Sequence, residues 1–272
     1  MAVALVMRTI QRCGQLRTAV ISDLLLSTKV TSLITMLSAK DLRRVVKSGP
    51  TTTEILRGCD LRLAGGGLTA VVGHSGSGKS SLLMCLGGLE KPTSGSVIIN
   101  GQDIYRLSSG RRAGMLRNEI GFVFQQYNLV PFLTVEENIT LPFRLDRAKI
   151  PRNMVNDLLR SFNLENRRDS LARTLSGGEQ QRTALCRTLA RRPKIVFADE
   201  PTGALDSQST AIVLRTLRQM ADDGQMIVMV THDLEAATLA DRVIVMHDGR
   251  ITQTIGKSTS QQLLGIISSG GE

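Results

Sequence analysis

Short apolar runs separated by helical patterns dominate the chain from about residue 36 onward. Such runs occupy residues 68–72, 120–124, 195–199 and 226–230. Runs of this length bounded by glycine, proline and polar residues are typical of buried strands. Between them, Leu and Ala recur with the spacing of helices that pack one face against a sheet. The alternation of the two patterns predicts an α/β fold.

A β-rich part flanks the first of these runs. Residues 37–46 and 54–63 predict two strands joined by a turn at 47–50, and the apolar residues 97–99 before Asn100-Gly101 predict a hairpin. Residues 107–117 are polar and basic and predict an exposed helix.

Residues from about 127 to 175 differ from both patterns. Thr134 and Glu137 have the spacing of a capping box, which predicts a helix start. We expect Pro142 to interrupt this helix, because proline lacks the N–H that the helix interior needs. Apolar residues at helical spacing predict a second helix over 154–162. The segment therefore predicts a helical insert.

The sequence GHSGSGKS at residues 73–80 follows the apolar run at 68–72 and precedes a helical pattern. It matches the phosphate-loop pattern G-x-x-x-x-G-K-S/T, in which backbone N–H groups and a helix N-terminus surround a polyphosphate. Lys79 should reach the β- and γ-phosphates, and the Ser80 hydroxyl should bind Mg²⁺. A surface turn that matches by chance is the alternative. The motif alone predicts a nucleotide triphosphatase or a kinase.

Three later stretches contain polar residues suited to phosphate chemistry. Ser176 with Gly177-Gly178 begins a helical pattern, which fits either a phosphate contact or a simple helix cap. The run at 195–199 ends in Asp199-Glu200, where Asp199 could hold Mg²⁺ and Glu200 could polarise a water molecule. His232 follows the run at 226–230, at the edge where α/β sheets bind ligands. We interpret His74 and His247 as incidental.

Charge and composition narrow the class of protein. The chain has 272 residues and a net charge of +10, and the first 50 residues contain eight Lys or Arg side chains against two acids. Charge concentrated at one end is typical of a tail or of a surface near anionic lipid. We expect no nucleic acid partner, because aromatic side chains do not alternate with the basic ones. No apolar run approaches the ~18 residues of a membrane span, so we do not expect a channel.

Taken together, the motifs resemble those of the ATP-binding subunit of ABC transporters over about residues 36–255. The resemblance rests on the phosphate loop, on LSGGEQQR at 175–182, on the apolar run before Glu200 and on the strand before His232. Gln125 in GFVFQ and Asp206 in GALD match two further motifs of the family. The expected fold class is α/β: a phosphate-loop NTPase (RecA-like) core, an antiparallel β subdomain and an inserted helical subdomain at about 127–175.

The resemblance implies an ATP hydrolase in which two copies pair head to tail around two ATP molecules. Glu200 resembles the general base, His232 the histidine that touches the γ-phosphate, and Lys79 the phosphate-binding lysine. Mg²⁺ would be held by Ser80, Gln125 and Asp199. The residues implied in ATP binding are Gly73, His74, Ser75, Gly76, Ser77, Gly78, Lys79, Ser80, Ser81, Gln125, Ser176, Gly177, Gly178 and Glu179.

Residues 120–131, 133–142 and 198–206 look like those of the macrolide-export and lipoprotein-releasing group. That group implies a separate integral membrane permease with an outer domain, and a peripheral location on the cytoplasmic face of the cell membrane. It also implies export or extraction of a lipophilic or peptide substrate. Two alternatives stay open: an ATPase that regulates a membrane protein without transport, and a relative that acts on nucleic acid.

Three further expectations concern the ends of the chain and the base of the nucleotide. We expect residues 1–35 to be a basic extension, with Met36 as the natural start, and residues 256–272 to be a tail. The family usually places an adenine-stacking aromatic where this sequence has Val46, and no Tyr, Phe or Trp occurs in residues 1–104. We therefore expect weak discrimination between ATP and GTP.

Overall fold

The computed structural model describes residues 35–49, 51–203 and 205–269. The strands are β1 (Thr35–Ser48), β2 (Thr51–Ala64), β3 (Gly67–Val72), β4 (Ser94–Ile99), β5 (Gln102–Asp103), β6 (Ile120–Val123), β7 (Ile195–Asp199), β8 (Met226–Val230), β9 (Arg242–His247) and β10 (Arg250–Gly256). The α-helices are α1 (Lys79–Leu86), α2 (Ser109–Glu119), α3 (Val135–Leu145), α4 (Arg152–Ser161), α5 (Gly177–Ala190), α6 (Ser207–Asp222), α7 (Leu234–Thr238) and α8 (Ser260–Ser269).

A six-stranded sheet in the order β10-β9-β3-β8-β7-β6 forms the centre of the fold. Strand β3 pairs in parallel with β8 and β9, β7 pairs in parallel with β6 and β8, and only β10 runs antiparallel to its neighbour β9. Parallel strands bring their carboxyl ends to one edge. The phosphate loop, Gln125, Asp199 with Glu200, and His232 therefore follow neighbouring strands at that edge.

A second sheet, in the order β2-β1-β4-β5, is antiparallel throughout. The two predicted strands and the predicted hairpin form it. Its buried face and α1 pack against one side of the central sheet, and Val71 of β3 points to that side. Leu68, Ala70 and Val72 point to the other side of the sheet, where they pack with helices that include α5 and α6. This alternation follows from the two-residue period of a strand, and it places β3 between two apolar layers.

A carboxylate fixes the beginning of β3. The Oδ2 atom of Asp241 accepts hydrogen bonds from the backbone N–H of Leu68 at 2.8 Å and from Nη1 of Arg218 at 2.9 Å. Although burial opposes the effect, these hydrogen bonds hold the pKa of Asp241 below its usual value. The contact ties α6 to the strand that carries the phosphate loop.

The helical insert contains α3, α4 and two short 3-10 turns at Glu165–Arg167 and Ala172–Thr174. Thr134 and Glu137 form the predicted capping box at the start of α3. The expected interruption at Pro142 is wrong, because α3 continues to Leu145. Pro142 lies in the last helical turn, where the missing N–H removes one hydrogen bond near an end and leaves the rest of the helix intact.

The structure describes one of the two predicted end segments. The expected basic extension, apart from Thr35, lies outside the described residues, and so do the residues that bear on the expected start at Met36. The segment expected as a tail carries α8, whose Leu263 is fully buried. Among the described helices, none has the length and hydrophobicity needed to cross a bilayer.

Candidate nucleotide site

The phosphate loop forms a backbone cradle between β3 and α1. Gly73, Gly76 and Gly78 adopt φ values of 150°, 80° and 92°, in the region that favours glycine. A Cβ at Gly73 would lie 2.1 Å from the carbonyl oxygen of Met246, so no larger residue fits there. The first turn of α1 has neither a side-chain cap nor an acidic residue. Its N–H groups are therefore available to an anion.

A cavity of about 470 Å³ opens beside this cradle. Its lining residues are Ile55, Ser75, Gly76, Gly78, Lys79, Ser80, Ser81, Glu200 and His232. The volume lies within the range of small-molecule and cofactor sites. Most of the lining was predicted from the sequence, whereas Ile55 was missed, because an apolar residue in a strand carries no signal of a binding role.

Lys79 occupies the floor of the cavity. Its Nζ donates to the carbonyl oxygens of Gly73 at 2.9 Å and of His74 at 2.8 Å. Burial lowers the pKa of Lys79, and the carboxylates of Glu200 and Asp199 oppose that shift. An ammonium group has three N–H donors. Two are used by the loop, and the third remains for a phosphate oxygen.

Ser80 and Asp199 come together from α1 and β7. The Ser80 hydroxyl donates to Oδ1 of Asp199 at 2.9 Å. Burial raises the pKa of Asp199, and the hydrogen bond from Ser80 opposes the rise. Hydroxyl and carboxylate oxygens beside a phosphate cradle are the donor set that Mg²⁺ prefers. The two side chains therefore fit the predicted metal site.

Glu200 and His232 form a hydrogen-bonded pair on the cavity wall. Oε2 of Glu200 and Nδ1 of His232 are 3.0 Å apart, and the backbone N–H of Glu200 donates to the carbonyl of Val230 at 2.9 Å. Glu200 has a positive φ of 45°, which turns the chain sharply at the end of β7. This turn separates the directions of Asp199 and Glu200. The His232 side chain remains 70% exposed, so it can contact a ligand.

Gln125 and the segment 176–179 are not among the residues that line the cavity. Gln125 is exposed, and its Nε2 lies 3.2 Å from the point that a Cβ on Gly203 would occupy. The segment 176–179 begins α5, where Ser176 and Glu179 form a capping box. Within one chain, the two halves of the predicted ATP site therefore do not meet.

Asp206 lies beside this second segment. It caps α6 by accepting from the backbone N–H of Ser209 at 2.8 Å. A Cβ at Gly178 would lie 2.4 Å from the Ser209 hydroxyl and 3.2 Å from Oδ2 of Asp206. The close packing explains why glycine is needed at this position. Ser209 was missed from the sequence, since a serine in a helical pattern gives no signal.

Three features at the edge of a parallel sheet define a phosphate-loop nucleotide triphosphatase. They are a phosphate cradle with a buried lysine, a hydroxyl and a carboxylate that fit Mg²⁺, and a carboxylate–histidine pair. The family model described as ABC transporter matches residues 56–203, just over half of the chain. The chain belongs to the ABC transporter family. The prediction of an ABC-type ATP hydrolase is confirmed.

Curated relatives and solved structures agree with this assignment. Over 220 residues, 80% of this chain, it is 41% identical to the macrolide export ATP-binding/permease protein MacB of Shigella flexneri and 40% identical to MacB of Escherichia coli K12. The chain spans only 34% of the length of each of these relatives. It is therefore similar to one part of them.

Two solved structures share the fold. The ATP-binding cassette MJ0796, in a dimeric post-hydrolysis state bound to ADP and Pi, has a TM-score of 0.77 and 35% identity, and the match covers 82% of this chain and 99% of that one. The cbiO1 subunit of Clostridium perfringens has a TM-score of 0.70 and 28% identity, with 85% and 91% covered. The predicted fold class is confirmed.

Proposed function

We propose that this chain binds and hydrolyses ATP as a head-to-tail dimer that drives a separate membrane permease. The observation that carries the proposal is the incomplete site. The phosphate cavity is lined from one side by Lys79, Glu200 and His232, whereas the capped segment at 176–179 lies elsewhere on the same chain. A second copy would supply that segment. The dimeric state of the related cassette MJ0796 supports this arrangement.

Each residue of the cavity has a defined task in this proposal. The loop N–H groups and the third donor of Lys79 bind the phosphates. Mg²⁺, when bound by Ser80 with Asp199 and Gln125, supplies positive charge that offsets the charge of the transferred phosphoryl group. Glu200 accepts a proton from the attacking water. His232, oriented by its hydrogen bond to Glu200, contacts the γ-phosphate.

The Glu200→Gln variant tests this assignment. Glutamine retains the size of the side chain but cannot accept the proton, so hydrolysis should slow by at least ~100-fold while ATP binding persists. The variant should accumulate as a dimer in ATP, measured by size-exclusion chromatography. Near-normal turnover would remove Glu200 from the role of base. A variant that stays monomeric in ATP would contradict the shared site.

An apolar groove of about 330 Å³ between α2, β6, α3 and α5 is the proposed docking site for the permease. Phe124, Leu141 and Leu145 line it, and the Leu145 side chain is 74% exposed. Arg117 and Arg191 at the rim both pair with Asp146, at 3.2 and 2.7 Å. The relatives named ATP-binding/permease proteins are about three times as long as the match, which supports a permease segment as the occupant.

A charged substitution in this groove tests the docking. Leu145→Glu should abolish co-purification of an integral membrane permease from detergent-solubilised membranes, because burial of an unpaired carboxylate is costly. The ATPase activity of the isolated chain should not change. Leu89→Glu is the matched control, since Leu89 is 46% exposed outside the groove. Equal co-purification by both variants would contradict the assignment.

The same experiment bears on location and role. We propose a peripheral position on the cytoplasmic face of the cell membrane and an export or extraction function, by similarity to the named macrolide export proteins. A permease with an outer domain in the co-purified material supports that role. A partner without transport activity would favour the regulatory alternative.

A further inference from the structure

His74, interpreted from the sequence as incidental, joins the phosphate loop to the last described helix. The side chain is exposed at a variable position of the loop, and its Nε2 lies 3.1 Å from the backbone carbonyl oxygen of Ile267 in α8. A carbonyl oxygen can only accept a hydrogen bond. Nε2 therefore carries the proton and donates.

The backbone of His74 holds Lys79. Its carbonyl oxygen accepts a hydrogen bond from Nζ of Lys79 at 2.8 Å and another from the backbone N–H of Ser77 at 3.2 Å. One residue thus binds the C-terminal helix through its ring and the phosphate-binding lysine through its main chain. A displacement of the His74 backbone would displace an acceptor that positions the ammonium group.

Helix α8 is itself fixed to the core. Leu263 is fully buried, and Ile266 and Ile267 are partly buried against the larger apolar cluster. The helix packs on α7, which begins two residues after His232. The acceptor for His74 therefore belongs to an element that is anchored to the core.

The remaining side of the loop is held by backbone packing. The N–H of Gly249 donates to the carbonyl of Ser77 at 3.1 Å, and Gly73 lies against the carbonyl of Met246. The ring of His247, on the same side as these residues, meets the His74 ring edge to face, with centroids 6.3 Å apart. His74 thus lies between the end of β9 and α8.

We propose that His74 is a positioning residue for ATP binding, which fixes the phosphate loop against the C-terminal helix through its hydrogen bond to Ile267. The inference rests on the proposed function, because it concerns the same phosphate loop. Its consequence is specific: the C-terminal helix contributes to nucleotide affinity without contacting the nucleotide.

Two variants of His74 separate the hydrogen bond from the bulk of the side chain. His74→Ala removes the donor, whereas His74→Gln retains an N–H donor at a similar distance from the backbone. The full chain is assayed with a fluorescent ATP analogue displaced by ATP. A net hydrogen bond corresponds to roughly three- to tenfold in affinity. We expect His74→Ala to raise the Kd for ATP by that factor and His74→Gln to restore it to within about twofold.

A shortened chain that ends at Gly265 tests the partner of the bond. It lacks the Ile267 carbonyl but keeps Leu263, and thermal unfolding verifies that it folds. In that background His74→Ala should cause no additional loss, since two changes that remove one interaction are not additive. In steady-state hydrolysis by the full chain, His74→Ala should raise the KM for ATP by the same factor as the Kd, and it should retain the kcat of the wild type.

The outcomes distinguish this inference from the proposed function. Equal ATP affinity of the wild type and His74→Ala, failure of Gln to restore affinity, or full additivity with the shortened chain would each overturn the inference alone. A wild-type chain that binds no ATP would overturn both.

Discussion

Glu200 occupies a backbone conformation that its side chain disfavours, and this strain has a measurable size. Its φ of 45° lies in the left-handed region, where a Cβ costs about 1–2 kcal/mol. Glycine avoids that cost, although its greater freedom in the unfolded chain offsets about 0.4–1 kcal/mol. Replacement of Glu200 by glycine should therefore give a more stable protein than replacement by alanine, by about 0.5–1 kcal/mol.

The comparison of Glu200→Gly with Glu200→Ala isolates the backbone term. Both variants lose the carboxylate and its 3.0 Å contact with His232, so their difference contains neither. Urea unfolding without nucleotide, followed by circular dichroism, gives the free energy of unfolding of each variant. In thermal unfolding, the same difference corresponds to about 1–4 °C for a protein of this size.

A control position should show the opposite order. Arg215 is exposed in α6, where glycine is about 1 kcal/mol worse than alanine. Arg215→Gly should therefore be less stable than Arg215→Ala. A Glu200→Gly variant no more stable than Glu200→Ala would refute the assignment of strain at this turn. The expected order would mean that a side chain at this turn lowers stability, as is typical of strained residues at functional sites.

Three other perturbations have defined outcomes. We expect Val46 at the position of a stacking aromatic, and stacking contributes about 1–3 kcal/mol in the nucleic-acid analogue. GTP should therefore compete with ATP within about tenfold, and a hundredfold difference in measured affinities would contradict this. Ser176→Ala should lower stability by about 1 kcal/mol and weaken ATP-dependent dimerisation, whereas Thr134→Ala, which breaks a similar capping box, should lower stability alone. Folding lowers the pKa of Asp241, so its ionised form stabilises the protein above the usual pKa of about 4. The wild type should therefore exceed Asp241→Asn in stability above that pH. When urea unfolding is repeated below that pH, the difference between the two proteins should shrink.

Four strands of the central sheet, β3, β6, β7 and β8, were predictable because their signals are local. Each of the four is a continuous apolar run, as expected for strands covered on both faces. A polar residue or loop that the site needs follows the carboxyl end of each run, and parallel pairing then brings those ends together. The structure brings Lys79, Ser80, Asp199, Glu200 and His232 together at this edge, and their roles stay predictions.

The antiparallel sheet hides its contribution to the site. Val45 pairs with Glu54 and Arg44 pairs with Leu56, so Ile55 is the extra residue of a bulge in β2. A bulge turns a side chain away from regular alternation. Ile55 lines the cavity for this reason, and the apolar pattern of β2 gives no indication of the irregularity.

Long-range contacts between irregular backbone and side chains were also beyond the sequence. The hydrogen bond from His74 to Ile267 joins residues 193 positions apart, and its acceptor is a main-chain atom that every residue type carries. The close packing of Gly178 on Ser209 was equally unpredictable, because it depends on the absence of a side chain at Gly178. Such contacts depend on where helices end up in space, which periodicity cannot specify.

The phosphate loop and the segment at 176–179 divide the proposed chemistry between binding and activation. Loop carbonyls position Lys79 within one chain, so we expect the monomer to bind nucleotide. Ser176 is exposed at the start of α5, with its hydroxyl engaged in a capping box that orients the helix N-terminus outward. A helix N-terminus attracts anions only within about a turn. In the proposed mechanism a second chain must approach to that distance before both halves can act on one phosphate. We therefore predict that hydrolysis depends on dimerisation, whereas nucleotide binding does not.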